Sequence, residues 1–238
     1  MPNADAGDRA GRRGPRPTAV SGLLVLLAAA SGWLDVLCLV RLGGFFASII
    51  TGNLVQLGRA LAGWDVRPLA VGLTAVAGYA AGVAGGALAL RGTPPGWQLR
   101  TTVAMAAEMV LLAGFAAGWL AAEPRPGHPV GLALLAGAAA ASGTQSMVSI
   151  GSGQHNPSTT YLTGSLTAIV RTLVLDPHRV AATAGGLSRL LGLFAGAALG
   201  AVGLRLAPDW AGIPPAVLVA VAVLIATAHH RQRRKRRW

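Results

Sequence analysis

Charge is scarce in this chain. Asp, Glu, Lys and Arg make up 12% of its 238 residues, where a soluble domain carries about 25%. Acids are scarcer still, eight against twenty basic residues. Cysteine occurs once, at Cys38, within an apolar run. A single thiol excludes an intrachain disulfide framework and a cysteine-built metal site. The chain has no HExxH motif and no Walker A loop, so zinc proteolysis and ATP hydrolysis lack a basis. It also lacks a G-x-S-x-G elbow, and Ser152 with His155 is local spacing in a glycine-rich loop rather than a triad. The expectation is a non-enzyme with no cofactor and no metal.

What is abundant is hydrophobic surface. Apolar residues form 53% of the chain, and the mean hydropathy is +0.55. They fall in runs of roughly 17–27 residues, enough to cross a hydrocarbon core of about 30 Å. Eight segments follow: Ala19–Val40, Phe45–Leu61, Pro68–Leu90, Leu99–Ala121, Val130–Ile150, Ser158–Leu175, Val180–Leu206 and Ile213–His229. Gly and Pro punctuate them at Gly43-Gly44, Pro94-Pro95-Gly96, Pro124 to Pro129 and Pro208 to Pro215. Trp64, Trp97, Trp119 and Trp210 stand near segment ends, where the amphipathic indole prefers to sit. The fold class expected is all-α, a polytopic transmembrane helical bundle.

The net charge of +12 is concentrated at the termini. Arg9, Arg12, Arg13 and Arg16 precede the first run. Arg231, Arg233, Arg234, Lys235, Arg236 and Arg237 follow the last. Positive residues beside a span stay in the cytoplasm. Both termini are therefore expected there, with an even number of crossings and no nucleic-acid role. The first apolar stretch outruns a signal-peptide core and reads as a retained span.

An internal repeat organises the middle. TGNLVQLGRAL starts at Thr51 and TGSLTAIVRTL at Thr163. Gly78, Gly82 and Gly86 form a GxxxGxxxG ladder, repeated by Gly192, Gly196 and Gly200. Ser31-Gly32 and Ser142-Gly143 precede the two Thr-Gly motifs. The plan is a basic arm (1–18), a first half (19–121), a proline-rich linker (122–129), a second half (130–229) and a basic tail (230–238). The second and sixth segments are short and polar. If they span, the halves are parallel and crossings number eight; if they are re-entrant, the halves are inverted and crossings number six. Outside the tails, loop charge does not decide. Eight spans put Arg59, Arg67, Arg125, Arg171 and Arg179 inside against four outside, and six give four inside against five.

Three ionisable side chains lie within spans: Asp35, Glu108 and Arg189. Such groups usually face a bundle interior or a wet cavity. Two readings stand side by side, a cation- or proton-coupled site and an ion pair of Arg189 with either acid. On the second segment Ser48, Gly52 and Gln56 share a helix face, with Thr51 and Asn53 adjoining. On the sixth, Thr160, Thr163, Gly164 and Thr167 do so, with Ser165 adjoining. Gly52 and Gly164 permit close approach or a hinge. Two symmetry-related half-sites, or polar helix–helix contacts, both fit. The fifth segment adds Ser142, Thr144, Gln145, Ser146 and Ser149. Gly82 and Gly196 are expected to pack helices closely, within the chain or in a homo-oligomer.

Ser31-Gly32-x-x-Asp35, Phe46-Ala47 leading to Thr51-Gly52-Asn53-Leu54, Gly143-x-Gln145 and Thr163-Gly164 together resemble the YoaK-like family of small bacterial multi-pass membrane proteins. Where that family often has Asn after Gln145, Ser146 stands here. The resemblance implies a multi-pass bacterial inner-membrane protein and no established reaction. It marks Asp35, Thr51, Gly52, Asn53, Gln145, Thr163 and Gly164 as motif positions. The functional expectation is a small-molecule or ion permease with a midplane site between the halves. The alternative is a membrane assembly or regulatory component using its Arg-rich tails.

Overall fold

The computed structural model describes residues 17–122, 128–154, 159 and 162–235. The anticipated roles of Arg9, Arg12, Arg13, Arg16, Arg125, His155, Asn156, Pro157, Thr160, Arg236 and Arg237 lie outside the described residues. Those described form eight α-helices and no strand: α1 Pro17–Arg41, α2 Ile50–Ala62, α3 Val66–Leu90, α4 Leu99–Ala121, α5 His128–Gly151, α6 Thr163–Leu175, α7 Ala184–Leu206 and α8 Ile213–Lys235. Local chemistry sets several boundaries. Gln98 and Thr101 form a reciprocal capping box at the start of α4. Pro214 and Pro215 sit in the first turn of α8, where the missing N–H costs nothing. Pro177 opens a 3-10 segment, Pro177–Thr183, that leads into α7.

Six helices, α1, α3, α4, α5, α7 and α8, are long and apolar enough to cross a bilayer. The other two have 13 residues each, about 20 Å at 1.5 Å per residue, well short of a core of about 30 Å.

Contacts fix the helix directions. Let the upper end be where α1 stops. Trp33 Nε1 donates to the carbonyl of Ala211 at 2.8 Å, so α8 starts near that end. Trp119 Nε1 donates to the carbonyl of Pro208 at 2.9 Å, so α4 stops there too. Thr102 Oγ1 and His230 Nε2 meet at 3.1 Å, which places the start of α4 beside the end of α8 at the lower end. The Gly96 amide donates to the Gly151 carbonyl at 3.2 Å, so α5 also stops at the lower end. On α3, Gly78 faces Ala136, Gly82 faces Ala140 and Gly86 faces Met147 and Thr144. The numbers rise together, so α3 runs parallel to α5. On α7, Gly192 faces Val25, Gly196 faces Ala29 and Gly200 faces Trp33, so α7 runs parallel to α1.

The long helices therefore run up, down, up in α1, α3 and α4, and down, up, down in α5, α7 and α8. Eight full crossings would make α4 and α8 parallel; they are antiparallel. Both ends of α2 belong to the upper side and both ends of α6 to the lower side.

Packing crosses between the halves. A Cβ on Gly82 would strike the carbonyl of Ala140, and one on Gly143 the carbonyl of Tyr79. A Cβ on Gly196 would strike the carbonyl of Ala29, and one on Gly32 the carbonyl of Leu193. Small residues allow this approach, which supplies van der Waals contact where lipid offers no hydrophobic drive. The third helix of each half thus packs on the first helix of the other. Leu24, Leu27, Leu37, Met105, Leu135 and Val219 fill the interior between them.

Candidate functional site

Asp35 projects from α1 six residues before its end, about 9 Å down the axis. The chain turns back to meet it. Gly43 (φ +103°) and Gly44 (φ +86°) adopt backbone conformations that side chains rarely tolerate. The returning segment brings the Ser48 amide to Asp35 Oδ1 at 2.8 Å and the Ser48 hydroxyl to Oδ2 at 2.6 Å. Asn53 fixes the same segment from α2: its Nδ2 donates to the Phe46 carbonyl at 2.8 Å, and its Oδ1 accepts from the Phe46 amide at 2.9 Å. Gln56 donates to the Gly44 carbonyl at 2.7 Å. Phe45, fully buried, fits over Gly72 of α3. α2 is a half-helix whose N-terminus lies below the upper end; Ser48, just ahead of it, ties the chain to α1, and the helix itself packs on α3.

The second half has a counterpart built from different residues. Gln145 Nε2 on α5 lies 3.1 Å from the Leu27 carbonyl, 2.8 Å from Ser31 Oγ and 2.9 Å from Thr159 Oγ1. Thr159, in the segment leading to α6, also meets Ser149 Oγ at 2.8 Å. Ser31, Asp35, Ser48, Gln145, Ser149 and Thr159 are all buried. They form a polar seam where α1 and α5 cross, at the roots of both half-helices.

Other anticipated residues are arranged differently. Thr51, Thr163 and Gly164 are exposed. Ser48 lies ahead of α2 rather than on it, so the stripe Ser48–Gly52–Gln56 is split between a loop and a helix. A Cβ on Gly164 would meet nothing within 4 Å, and one on Gly52 would make ordinary contact with Phe46 and Ile49. Close backbone approach belongs to Gly82, Gly143, Gly196 and Gly32 instead. Arg189, on α7, is buried; among the described residues no ion pair with Asp35 or Glu108 is seen, while Asp176 and Arg179 make an exposed one at 3.3 Å. Asp35 is engaged by Ser48, and Glu108 stands on α4, which packs on α5 and α8 rather than on α7. Trp97 and Trp119 are buried, Trp97 donating to Thr102 Oγ1 at 3.1 Å, while Trp64 and Trp210 stay exposed. No cluster of metal-ligating side chains occurs among the described residues. Thr159 was not singled out in the sequence; its signal was its place 112 residues after Ala47, the repeat's own spacing.

Fold and seam together define a multi-pass helical-bundle membrane protein with two short half-helices. The chain belongs to the family described as protein of unknown function (DUF1275), whose model matches residues 23–225. No curated protein and no solved structure matches it. The match spans every motif that carried the resemblance, and the coarser part of that resemblance, an uncharacterised family, is what it supports.

Proposed function

We infer that the chain is a permease of the bacterial cytoplasmic membrane, carrying a small polar molecule or an ion past the seam between α1 and α5. The observation that carries this reading is the pair of half-helices entering from opposite ends, each rooted in buried polar side chains. Secondary transporters commonly combine inverted halves with discontinuous helices that meet near the midplane. The recurring contacts favour a duplicated unit. Gly82 with Ala140 and Gly196 with Ala29 are the same contact with the two halves exchanged. Thr51 and Thr163, exposed hydroxyls in the first turns of the two half-helices, are the hydrogen-bonding groups of such a site; Asn53 and Gln145, whose amides are engaged within the chain, frame it, and Asp35 positions the first half-helix. With six crossings both termini share one side, and their basic residues favour the cytoplasm for it.

A second reading has its own observation. The seam groups already satisfy one another, as they would in a membrane assembly or regulatory component. The two readings part in a thermal-shift screen of the purified protein against metabolites and ions. A ligand at 100 times its Kd stabilises the native state by about 2.7 kcal/mol. The permease reading expects a hit that Thr51→Val and Gln145→Leu abolish while remaining folded. Silence across the library, with Gln145→Leu less stable than the parent because Ser31 and Thr159 lose a partner, favours the assembly reading.

A further inference from the structure

Glu108 differs from the other buried acid, Asp35, and from the buried amides Asn53 and Gln145. Asp35, Asn53 and Gln145 are held by hydrogen bonds within the chain. Glu108 is 1% exposed, and its Oε2 meets no hydrogen-bond donor. It lies nine residues into α4, about 13 Å at 1.5 Å per residue, close to the middle of a core of about 30 Å.

Among the described residues, the elements packed on α4 place no basic residue at the level of Glu108. α4 packs against α5, α8, α3 and the short turn Pro208–Trp210. The ionisable residues of those elements stand at their ends: His128 on α5, Arg67 on α3, Asp209 in the turn, and His229, His230, Arg231 and the basic residues beyond on α8. Tyr79 of α3 is the exception, and its hydroxyl meets Ser146 Oγ at 2.8 Å. On α4 itself Arg100 lies at the start, with Nη1 donating to the Arg91 carbonyl. Along the middle of α8, Val219, Ala222 and Ala226 are buried in the apolar core. A carboxylate with an unmet oxygen, buried among apolar helices, is too costly to remain bare.

We propose that Glu108 is a binding site for a monovalent cation, a proton or an alkali ion, taken from the aqueous phase and held at mid-membrane. This rests on the permease reading for its use, as the ion coupled to transport; the binding itself does not. Asp35, occupied by Ser48, is not the ion site.

The test uses the purified full-length protein, with its melting temperature followed in two arms. In the first, sodium or potassium replaces N-methylglucamine in alkaline buffer. In the second, acidity is raised in alkali-free buffer. The expected result is a melting temperature that climbs with the logarithm of one cation's concentration, the arm identifying which. Glu108→Gln removes that slope while melting at or above the parent, because an amide needs no counter-ion. Ser48→Ala, which disturbs only the Asp35 side, keeps it. A parent slope retained in Glu108→Gln, or no slope in either arm, overturns the proposal. If Glu108→Gln does not fold, infrared difference spectra of the parent with and without cation take its place. A change in the carboxyl bands is expected, and its absence is contrary. Ion flux in liposomes is read separately: a cation slope without flux sinks the permease reading and leaves the site standing.

Discussion

Asp35 sits in an apolar helix yet has both carboxylate oxygens met by Ser48. A hydrogen bond to a charged group contributes about 1.5–3 kcal/mol. Ser48→Ala should therefore lower stability by about that amount, because it removes the hydroxyl and leaves the amide bond. Asp35→Ala should cost more, since it releases the returning segment altogether. The double variant should fall short of the sum, because both changes remove the same bond. Equilibrium unfolding of the three variants in detergent checks this; strict additivity contradicts it. Asp35 was legible as a buried acid from its place in an apolar run. Its partner was not, because Ser48 reaches it through a chain reversal at Gly43-Gly44 that no helical periodicity encodes.

Between residues and bundle, the elements divide by how glycine is used. The ladder glycines Gly82 of α3 and Gly196 of α7 have the carbonyls of Ala140 on α5 and Ala29 on α1 where a side chain would go. Gly82→Leu and Gly196→Leu must push two helices apart. Overpacking alone costs about 1–3 kcal/mol, and here backbone cannot yield. Gly114→Leu on α4, with open space at the Cβ, is the control and should change little. Melting temperatures separate the two classes; equal behaviour of Gly82→Leu and Gly114→Leu would refute the packing scheme. Gly164 makes the opposite case. Its Cβ position is open and it lies within α6, so Gly164→Ala should raise stability by up to about 1 kcal/mol through helix propensity. A loss of stability there would show that the glycine is needed for a conformation other than this one. The GxxxGxxxG spacing made the ladders readable as packing faces. Their partners were not readable, because parallel contact between helices of different halves depends on the whole course of the chain.

At the scale of the molecule, the open matter in the sequence was the course of the second and sixth segments. Both are apolar enough to read as segments and too short to decide, and the loop arginines divide almost evenly. The structure resolves it through side chains at opposite ends of one helix: Trp119 ties the end of α4 to the start of α8, and Thr102 ties its start to the end of α8. Antiparallel α4 and α8 require an odd number of crossings in each half. The long helices α5, α7 and α8 then run opposite to α1, α3 and α4, and the segments ahead of α2 and α6 reach the seam through Ser48 and Thr159. That arrangement underlies the permease reading, and it can be measured without knowing the substrate.

The direct measurement is side-specific labelling of single cysteines by a membrane-impermeant thiol reagent, in a Cys38→Ser background. The positions are Arg41→Cys, Asp65→Cys and Arg91→Cys, compared with a cysteine added at the C-terminus. The account predicts that positions 41 and 65 label from the same side, opposite the C-terminus, and that position 91 labels from the side of the C-terminus. Labelling of 41 and 65 from opposite sides would mean that α2 crosses the membrane, and the inverted arrangement would be wrong.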